Sequence, residues 1–356
     1  MKTILVLLLA VAACGDDVSP DAVPVRLLTY NIGNPNADEP LPYTLRLKDQ
    51  AYEDYMGEQI RAMDADIVLH QEVLAPTRCE AVDEQDPART CYDDANRPPP
   101  IRRLLGDGYT IVCDQRQHVE CIGVKTSFGT IEGVDPGGFV LAGAETPPLP
   151  LDECDWAAGT CNDTNCDGEA TVSAVTIDTD FAPLRLVHAH PNAAGQDADG
   201  NVYTGAPCRA LQLQQAFEGL AGFGDAPLVA DGATLMAGDF NMDPVRLASD
   251  DEDALWQRNV GDGQRFTDKT PIDENGVQHA TRRAGLGLAI DHVLIDGARA
   301  AGDCTVWGDD FIGTDPGTLP LDQGFDWTLV PDGEFYANRL DHFAISCDLT
   351  YDLSLE

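Results

Sequence analysis

The sequence predicts one strand-rich α/β domain, and three observations point there. First, short apolar or alternating runs recur at Arg26–Ile32, Ile67–Gln71, Tyr109–Cys113, Cys121–Lys125, Thr171–Ile177, Leu184–His190, Thr234–Ala237, Ala289–Ile295 and His342–Cys347. Gly, Pro, Asn and Asp punctuate them, which is the pattern of strands. Second, only two stretches carry a helical period. Third, residues able to do chemistry stand at the ends of runs from both halves of the chain, so one site must draw on the whole length and two separate domains are not expected.

Taken in order, the first run, VRLLTYN, closes on the amide of Asn31. Leu45, Tyr52, Met56, Ile60 and Met63 then fall at helical spacing, a stripe that core packing against a sheet explains without a ligand. The next run, DIVLHQE, closes on the carboxylate of Glu72. Residues Ala75–Pro100 and Gly143–Glu169 are rich in Asp, Pro and Cys, lack periodicity and read as loop insertions. Within the second, Asp163, Asn165, Asp167 and Gly168 imitate half of a calcium loop. Ala174 stands where the closing Glu would be, so a solvated turn is expected there, as at Asp197, Asp199 and Gly200. LRLVHAHPN sets His188 and His190 on one side of a strand, and a helix is expected from about Arg209 to Leu220. LMAGDFNMDP, Leu235 to Pro244, is the most informative segment. An apolar run ends in a Gly turn that presents Asp239 and, two positions on, Asn241 toward the same side. AIDHVLI and RLDHFAIS close the series with Asp291 and the pair Asp341–His342.

The ordered set Asn31, Gln71-Glu72, Gly238-Asp239-x-Asn241, Asp341-His342 resembles the endonuclease/exonuclease/phosphatase superfamily from about Val25 to Asp348. That resemblance implies a four-layer sandwich, two packed and mostly antiparallel β-sheets flanked by helices. It implies Glu72, Asn31 and Asp341 around a metal ion. It also implies catalytic roles for His342, Asp291, Asp239, Asn241 and His190, with Asp291 orienting His342 and His190 contacting phosphate. Arg209 and Gln212 fit the start of the helix that usually follows, which makes Arg209 and His188 candidate substrate contacts. Leu340 departs from the family, which usually has Ser before Asp-His; the departure is expected to weaken a supporting hydrogen bond without removing a catalytic group.

These residue types suit phosphoester hydrolysis, which needs an activated water, neutralised phosphoryl oxygens and help for the leaving oxygen. Carboxylate and amide oxygens favour Mg²⁺, Mn²⁺ or Ca²⁺ over zinc. An imidazole paired with a carboxylate has its tautomer fixed and serves as base or charge stabiliser. Taken singly, Asn31, Asp239 and Asn241 would read as Asx-turn residues; taken in their order, they read as a site.

Met1–Cys14, MKTILVLLLAVAAC, has one basic residue, an apolar run too short to span a bilayer and small residues before a Cys. It reads as a secretory leader, and VAAC resembles a lipoprotein cleavage box with Cys14 as the lipidated residue. Residues 15–24 then form a short polar tether, 25–356 the catalytic domain, and the protein is expected in the bacterial cell envelope, on its lipid anchor or secreted. Setting Cys14 aside, the remaining cysteines of the eleven are even in number, which favours disulfides in an exported chain. Cys113 with Cys121 is a plausible local pair, as are Cys79 with Cys91 and Cys154 with Cys161 or Cys166. Cys208, Cys304 and Cys347 are left for longer links.

With 22 basic and 61 acidic residues the net charge is −39. Such a surface repels polyanions and counts against tight, processive nucleic-acid binding by Lys and Arg. A divalent ion offsets charge locally, so a nuclease is still compatible with it. The expected partners are a phosphoester substrate and, through the anchor, a membrane, with no obligate protein partner. A phosphodiesterase acting on nucleic acid is the first reading and a phospholipid or sphingolipid phosphodiesterase the second. A non-catalytic surface binding protein on the same fold is the third.

Overall fold

The computed structural model describes residues 22–32, 50–73, 98–114, 119–142, 171–191, 193, 195–196, 202–203, 206–219, 226–245, 248–272, 278, 281, 288–307 and 342–352. Their elements, in chain order, are β1 (Ala22–Asn31), α1 (Gln50–Ala62), β2 (Ile67–Val73), α2 (Pro100–Leu105), β3 (Tyr109–Asp114), β4 (Val119–Lys125), β5 (Gly129–Ile131), β6 (Phe139–Ala142), β7 (Thr171–Thr179) and β8 (Leu184–His190). There follow β9 (Gly195–Gln196), β10 (Val202–Tyr203), α3 (Ala206–Phe217), β11 (Thr234–Asp239), α4 (Asp250–Asn259), β12 (Phe266–Asp268), β13 (Asp291–Asp296), β14 (Ala300–Val306) and β15 (Ile345–Asp352).

Two large sheets result, one of seven strands in the order β14-β15-β1-β2-β4-β3-β6 and one of six in the order β12-β13-β11-β8-β7-β5. Their pairings are antiparallel except β1–β2, β3–β6 and β8–β11. Alternation along each strand divides the apolar residues between three cores. Leu27, Ile67, Leu69, Ile122, Val124, Leu186, Leu235, Val293, Ile345 and Leu349 meet between the sheets. Leu28, Tyr30 and Val68, on the other face of the first sheet, pack on Met56 and Ile60 of α1 and Ile101, Leu104 and Leu105 of α2. Val187, Met236, Phe240 and Leu294, on the outer face of the second, pack on Leu213 and Phe217 of α3 and Leu255 and Trp256 of α4. The order helix, sheet, sheet, helix is the four-layer sandwich expected. Each fully buried Leu or Ile contributes roughly 1.5–3 kcal/mol relative to exposure.

At one end of the sandwich the inward-facing register changes from apolar to polar. Leu27 is followed on its face by Thr29 and Asn31, Leu69 by Gln71, Leu186 by His188 and His190, and Ala237 by Asp239. Running the other way, Glu120 precedes Ile122 on β4 and Asp291 precedes Val293 on β13. The apolar core therefore ends in a layer of polar groups drawn from six strands, with titratable side chains on β4, β8, β11 and β13.

Several boundaries differ from the sequence expectation. Ala22–Pro24, assigned to a tether, already pair with Thr350–Asp352 of β15, because Val23 extends the inward alternation of Val25 and Leu27. Pro24 is tolerated because pairing of β1 with β2 starts only at Leu27. Of the helical stripe before β2, Met56 and Ile60 are buried as expected, and Leu45 lies outside the described residues. The second helix spans 206–217 rather than 209–220. α2, α4, β5, β6, β9, β10, β12 and β14 lie outside the sequence expectation. β14, AAGDCTV, has little apolar content and is held as an edge by its ladder with β15 and by the Cys304–Cys347 disulfide. Cys113–Cys121 bridges β3 and β4, as the local spacing suggested. The other proposed cysteine pairs, the leader and the calcium-loop imitation lie outside the described residues.

Candidate active site

Asp239 ends β11, and the residue before it lets the strand reach its place. Gly238 has φ +144°, and a Cβ there would sit 2.0 Å from the carbonyl oxygen of Ala189 on β8, so only glycine permits this approach. Asn241 follows with φ +49°, a left-handed backbone that Asn tolerates better than most residues. Its N–H donates to Asp239 Oδ1 (2.7 Å) and its side-chain amide donates to the Pro191 carbonyl (3.0 Å), tying the end of β11 to the end of β8.

Glu72 reaches the site by a different device. Ile67, Leu69 and Gln71 face inward, so a regular strand would turn Glu72 outward. The register between β2 and β4 shifts between His70 and Val73, and Glu72 adopts φ +57°. This bulge re-aims the carboxylate into the sandwich, against a backbone cost of about 1–2 kcal/mol. Asn31 Nδ2 then donates to both Glu72 Oε1 and Asp239 Oδ2, each at 3.1 Å.

Two imidazoles, each backed by its own buried carboxylate, complete the cluster. His342 Nδ1 lies 2.9 Å from Asp291 Oδ2, and its Nε2 lies 3.6 Å from Asp239 Oδ2. His190 Nδ1 lies 2.7 Å from Glu120 Oε1, and its Nε2 lies 3.8 Å from Glu72 Oε1 and 3.9 Å from Asp239 Oδ2. Burial pulls the His190 imidazole down, but the bonded Glu120 and the charges of Asp239 and Glu72 outweigh it and push its pKa up to about 9. Burial lifts the Asp291 carboxyl above its ordinary value; Asp239 adds to that lift and His342 opposes it. Thr281 Oγ accepts the backbone N–H groups of Ile290 and Asp291, which fixes the start of β13.

Asn31, Glu72, Asp239, Asn241, Asp291, His342 and His190 are thus brought together from positions hundreds of residues apart in sequence; Asp341 lies outside the described residues. Glu120 was not anticipated. Its sequence signal is a lone acidic residue in phase with inward-facing Ile122 and Val124, one position before the apolar run that begins at Cys121.

Two expected substrate contacts are placed elsewhere. His188 shares a face with His190 but lies two residues deeper, fully buried, with Nε2 2.6 Å from Gln71 Nε2. Burial and the neighbouring His190 and His70 hold its pKa well below the ordinary value, so it is a neutral residue beneath the cluster. Arg209 is 2% exposed, and its Nε donates to Glu252 Oε1 at 2.6 Å, joining the N-terminal turns of α3 and α4. It forms a buried ion pair between helices.

The donor set suits a hard divalent cation. Glu72 and Asp239 converge on one amide and offer carboxylate oxygens, the ligand type that hard divalent cations take. Ligand atoms of Asp239, Asp291 and His342 also lie within 4.8 Å of one another. This group overlaps the expected cluster but differs from the ligand set Glu72, Asn31 and Asp341.

No protein-family model matches the chain, and no curated protein does. Among solved structures it is similar to truncated TDP2 from Caenorhabditis elegans, with 13% identity and a TM-score of 0.49 over 92% of this chain and 98% of that one. The human nocturnin catalytic domain with bound sulfate anion shares 12% identity at a TM-score of 0.48, over 93% and 97%. An endonuclease/exonuclease/phosphatase family protein from Bacteroides thetaiotaomicron shares 14% at 0.46, over 93% and 99%.

Proposed function

We propose that this chain is an exported, divalent-metal-dependent phosphoric ester hydrolase of the endonuclease/exonuclease/phosphatase superfamily, acting on phosphodiesters. One observation supports this above all. Asn31 bridges Glu72 and Asp239, and two carboxylate-backed imidazoles turn their Nε2 atoms toward the same Asp239 oxygen.

Glu72 and Asn31, with Asp341, are the residues that would hold the cation; when bound it neutralises the non-bridging phosphoryl oxygens. His342, its Nδ1–H donated to Asp291, keeps Nε2 for a proton from the attacking water or for charge stabilisation. Asp239 aligns that water or protonates the leaving oxygen. Asn241 holds one phosphoryl oxygen and His190 the opposite one. Kept protonated by Glu120 to about pH 9, His190 meets that oxygen as a charged donor, the stronger kind.

Nucleic acid is the first substrate class in this reading. A phospholipid or sphingolipid ester is the second, favoured by the net charge of −39, which opposes long polyanions. Export rests on the Met1–Cys14 leader, with Cys14 as the lipidated residue, and the disulfides Cys113–Cys121 and Cys304–Cys347 suit an oxidising compartment. The deciding experiment assays DNA, RNA, sphingomyelin, phosphatidylcholine and inositol phosphates with Mg²⁺, Mn²⁺ or Ca²⁺, and again with EDTA. Turnover of one class, abolished by EDTA, is expected. No turnover of any leaves a non-catalytic binding protein on this fold.

A further inference from the structure

His292 follows Asp291 on β13, and alternation turns it to the opposite face, away from the catalytic cluster and into the layer of α3 and α4. It is fully buried, edge-on to the rings of Phe240 and Trp256 at centroid distances of 5.4 and 5.0 Å. Both ring nitrogens are engaged. Nδ1 lies 2.9 Å from Asp268 Oδ2 and 3.3 Å from Thr270 Oγ, and Nε2 lies 3.0 Å from the carbonyl oxygen of Met242. A carbonyl and an ionised carboxylate only accept, so the ring donates from both nitrogens as an imidazolium balanced by Asp268.

Met242 stands in the turn that shapes the site. Before it come Asp239 and left-handed Asn241; after it Asp243 accepts the N–H groups of Val245 and Ala289 at 3.0 Å each. Phe240 N–H donates to the Ile290 carbonyl at 2.7 Å, and Thr270 Oγ donates to the Asp291 carbonyl at 3.4 Å. The buried pair thus grips both the turn behind Asp239 and Asn241 and the strand carrying Asp291. Stability alone does not call for such a pair, since well-packed apolar residues of similar volume commonly do as well. A directed N–H donor to one chosen carbonyl is what an apolar side chain cannot supply.

We propose that His292 is a positioning residue for the hydrolysis: by donating to the Met242 carbonyl from the back of the sheet, it sets the turn that aims Asp239 and Asn241. This rests on the reading of the front-face cluster as the active site.

The test reads kcat and KM separately for bis(4-nitrophenyl) phosphate with Mg²⁺, well below each variant's melting midpoint. Asp268→Asn leaves a neutral imidazole able to donate from Nε2 to Met242, with the new amide donating to Nδ1, and kcat should stay within about threefold of the parent. Adding His292→Phe removes the donor without stranding a carboxylate. Displacement of reacting groups by up to ~1 Å should then lower kcat by roughly tenfold to a hundredfold, with KM moving less than about threefold. His292→Gln in the same background returns an N–H for Met242 and should recover most of that loss. A rate for the Phe variant equal to that of Asp268→Asn alone overturns the inference. If His342→Ala, assayed in parallel, is dead in that case, the site reading stands; if it also turns over normally, both fall. A second measurement needs no variant. Nitrogen-proton correlation spectra of the parent should show an Nε2–H on His292 protected from exchange, and a bare Nε2 or a fast-exchanging Nε2–H overturns the inference equally.

Discussion

Replacing His342 or Asp291 separates a working site from an inert cluster. His342 Nδ1 and Asp291 Oδ2 are 2.9 Å apart, and both side chains are almost wholly buried. His342→Ala removes the proposed base, which typically costs about 10²- to 10⁴-fold in rate, or roughly 3 to 5 kcal/mol of barrier at about 1.4 kcal/mol per tenfold. Asp291→Asn acts on the same group. The amide can donate to Nδ1 where the carboxylate accepted from it, which moves the imidazole proton to Nε2, the atom that faces Asp239 and must be bare to accept. A loss on the order of that for His342→Ala follows. Independent residues would multiply, so two losses of about 10³ would make about 10⁶. Residues acting as one unit do not multiply, and the double variant should lie within about tenfold of His342→Ala. Initial rates on the best substrate of the panel at saturating metal, with circular dichroism to confirm the fold, provide the measurement. Fully multiplicative losses refute the pairing, and parental rates in all three variants refute the site.

Glu72→Gln keeps an acceptor for Asn31 but removes a charge from the proposed metal site; activity should fall and be partly recovered by raising Mg²⁺, so a loss independent of metal concentration counts against Glu72 as a ligand. Glu120→Gln should alter the pH dependence of stability in the metal-free protein. Because the folded-state pKa of His190 is raised to about 9, its pair with Glu120 stabilises fully below the unfolded value of about 6.5 and loses that contribution as pH rises through 9. Urea unfolding should show the parent losing on the order of 3 kcal/mol across that window and Glu120→Gln losing much less, whereas parallel curves refute the pairing. Thiol titration of the denatured, unreduced mature protein should find almost no free thiol. Reduction should cost on the order of 2–4 kcal/mol per bridge, and four or more free thiols would contradict export.

Much of the site is legible in the sequence because its residues cap apolar runs. Asn31, Glu72, His190, Asp239 and Asp291 each stand at the end of a strand whose interior is plainly hydrophobic, and strand ends are where a rigid sheet offers groups to a ligand. What stayed hidden depends on partners distant in the chain. Nothing in DIVLHQE announces the bulge that turns Glu72 inward. Arg209 looks like a free cation opening a helix until Glu252, beyond β11, is seen to take it. α4 is mostly charged and polar, so its hydrophobic pattern is faint. Its sequence signal is instead the capping box, in which Ser249 and Glu252 satisfy each other's backbone N–H groups. β14 shows almost no strand pattern because pairing with β15 and a disulfide, rather than burial, hold it.

The pairing of Ala22 with Asp352 has a bearing on how the protein meets its surroundings. β1 runs from Ala22 to Asn31, 10 residues, or about 30 Å at roughly 3.3 Å per residue. The segment preceding Ala22 therefore joins the sandwich at one pole while Asn31, Glu72 and Asp239 lie at the other. A surface that held the chain by its N-terminal leader would face the blunt pole, leaving the catalytic pole turned toward the medium. Phosphodiesters arriving from outside would have the direct approach, and lipids of the anchoring leaflet would be reached only if the tether folded back along the whole length of the sandwich. Moving the point of attachment to the loop between β11 and α4 would reverse that polarity, exchanging access to the medium for access to the membrane.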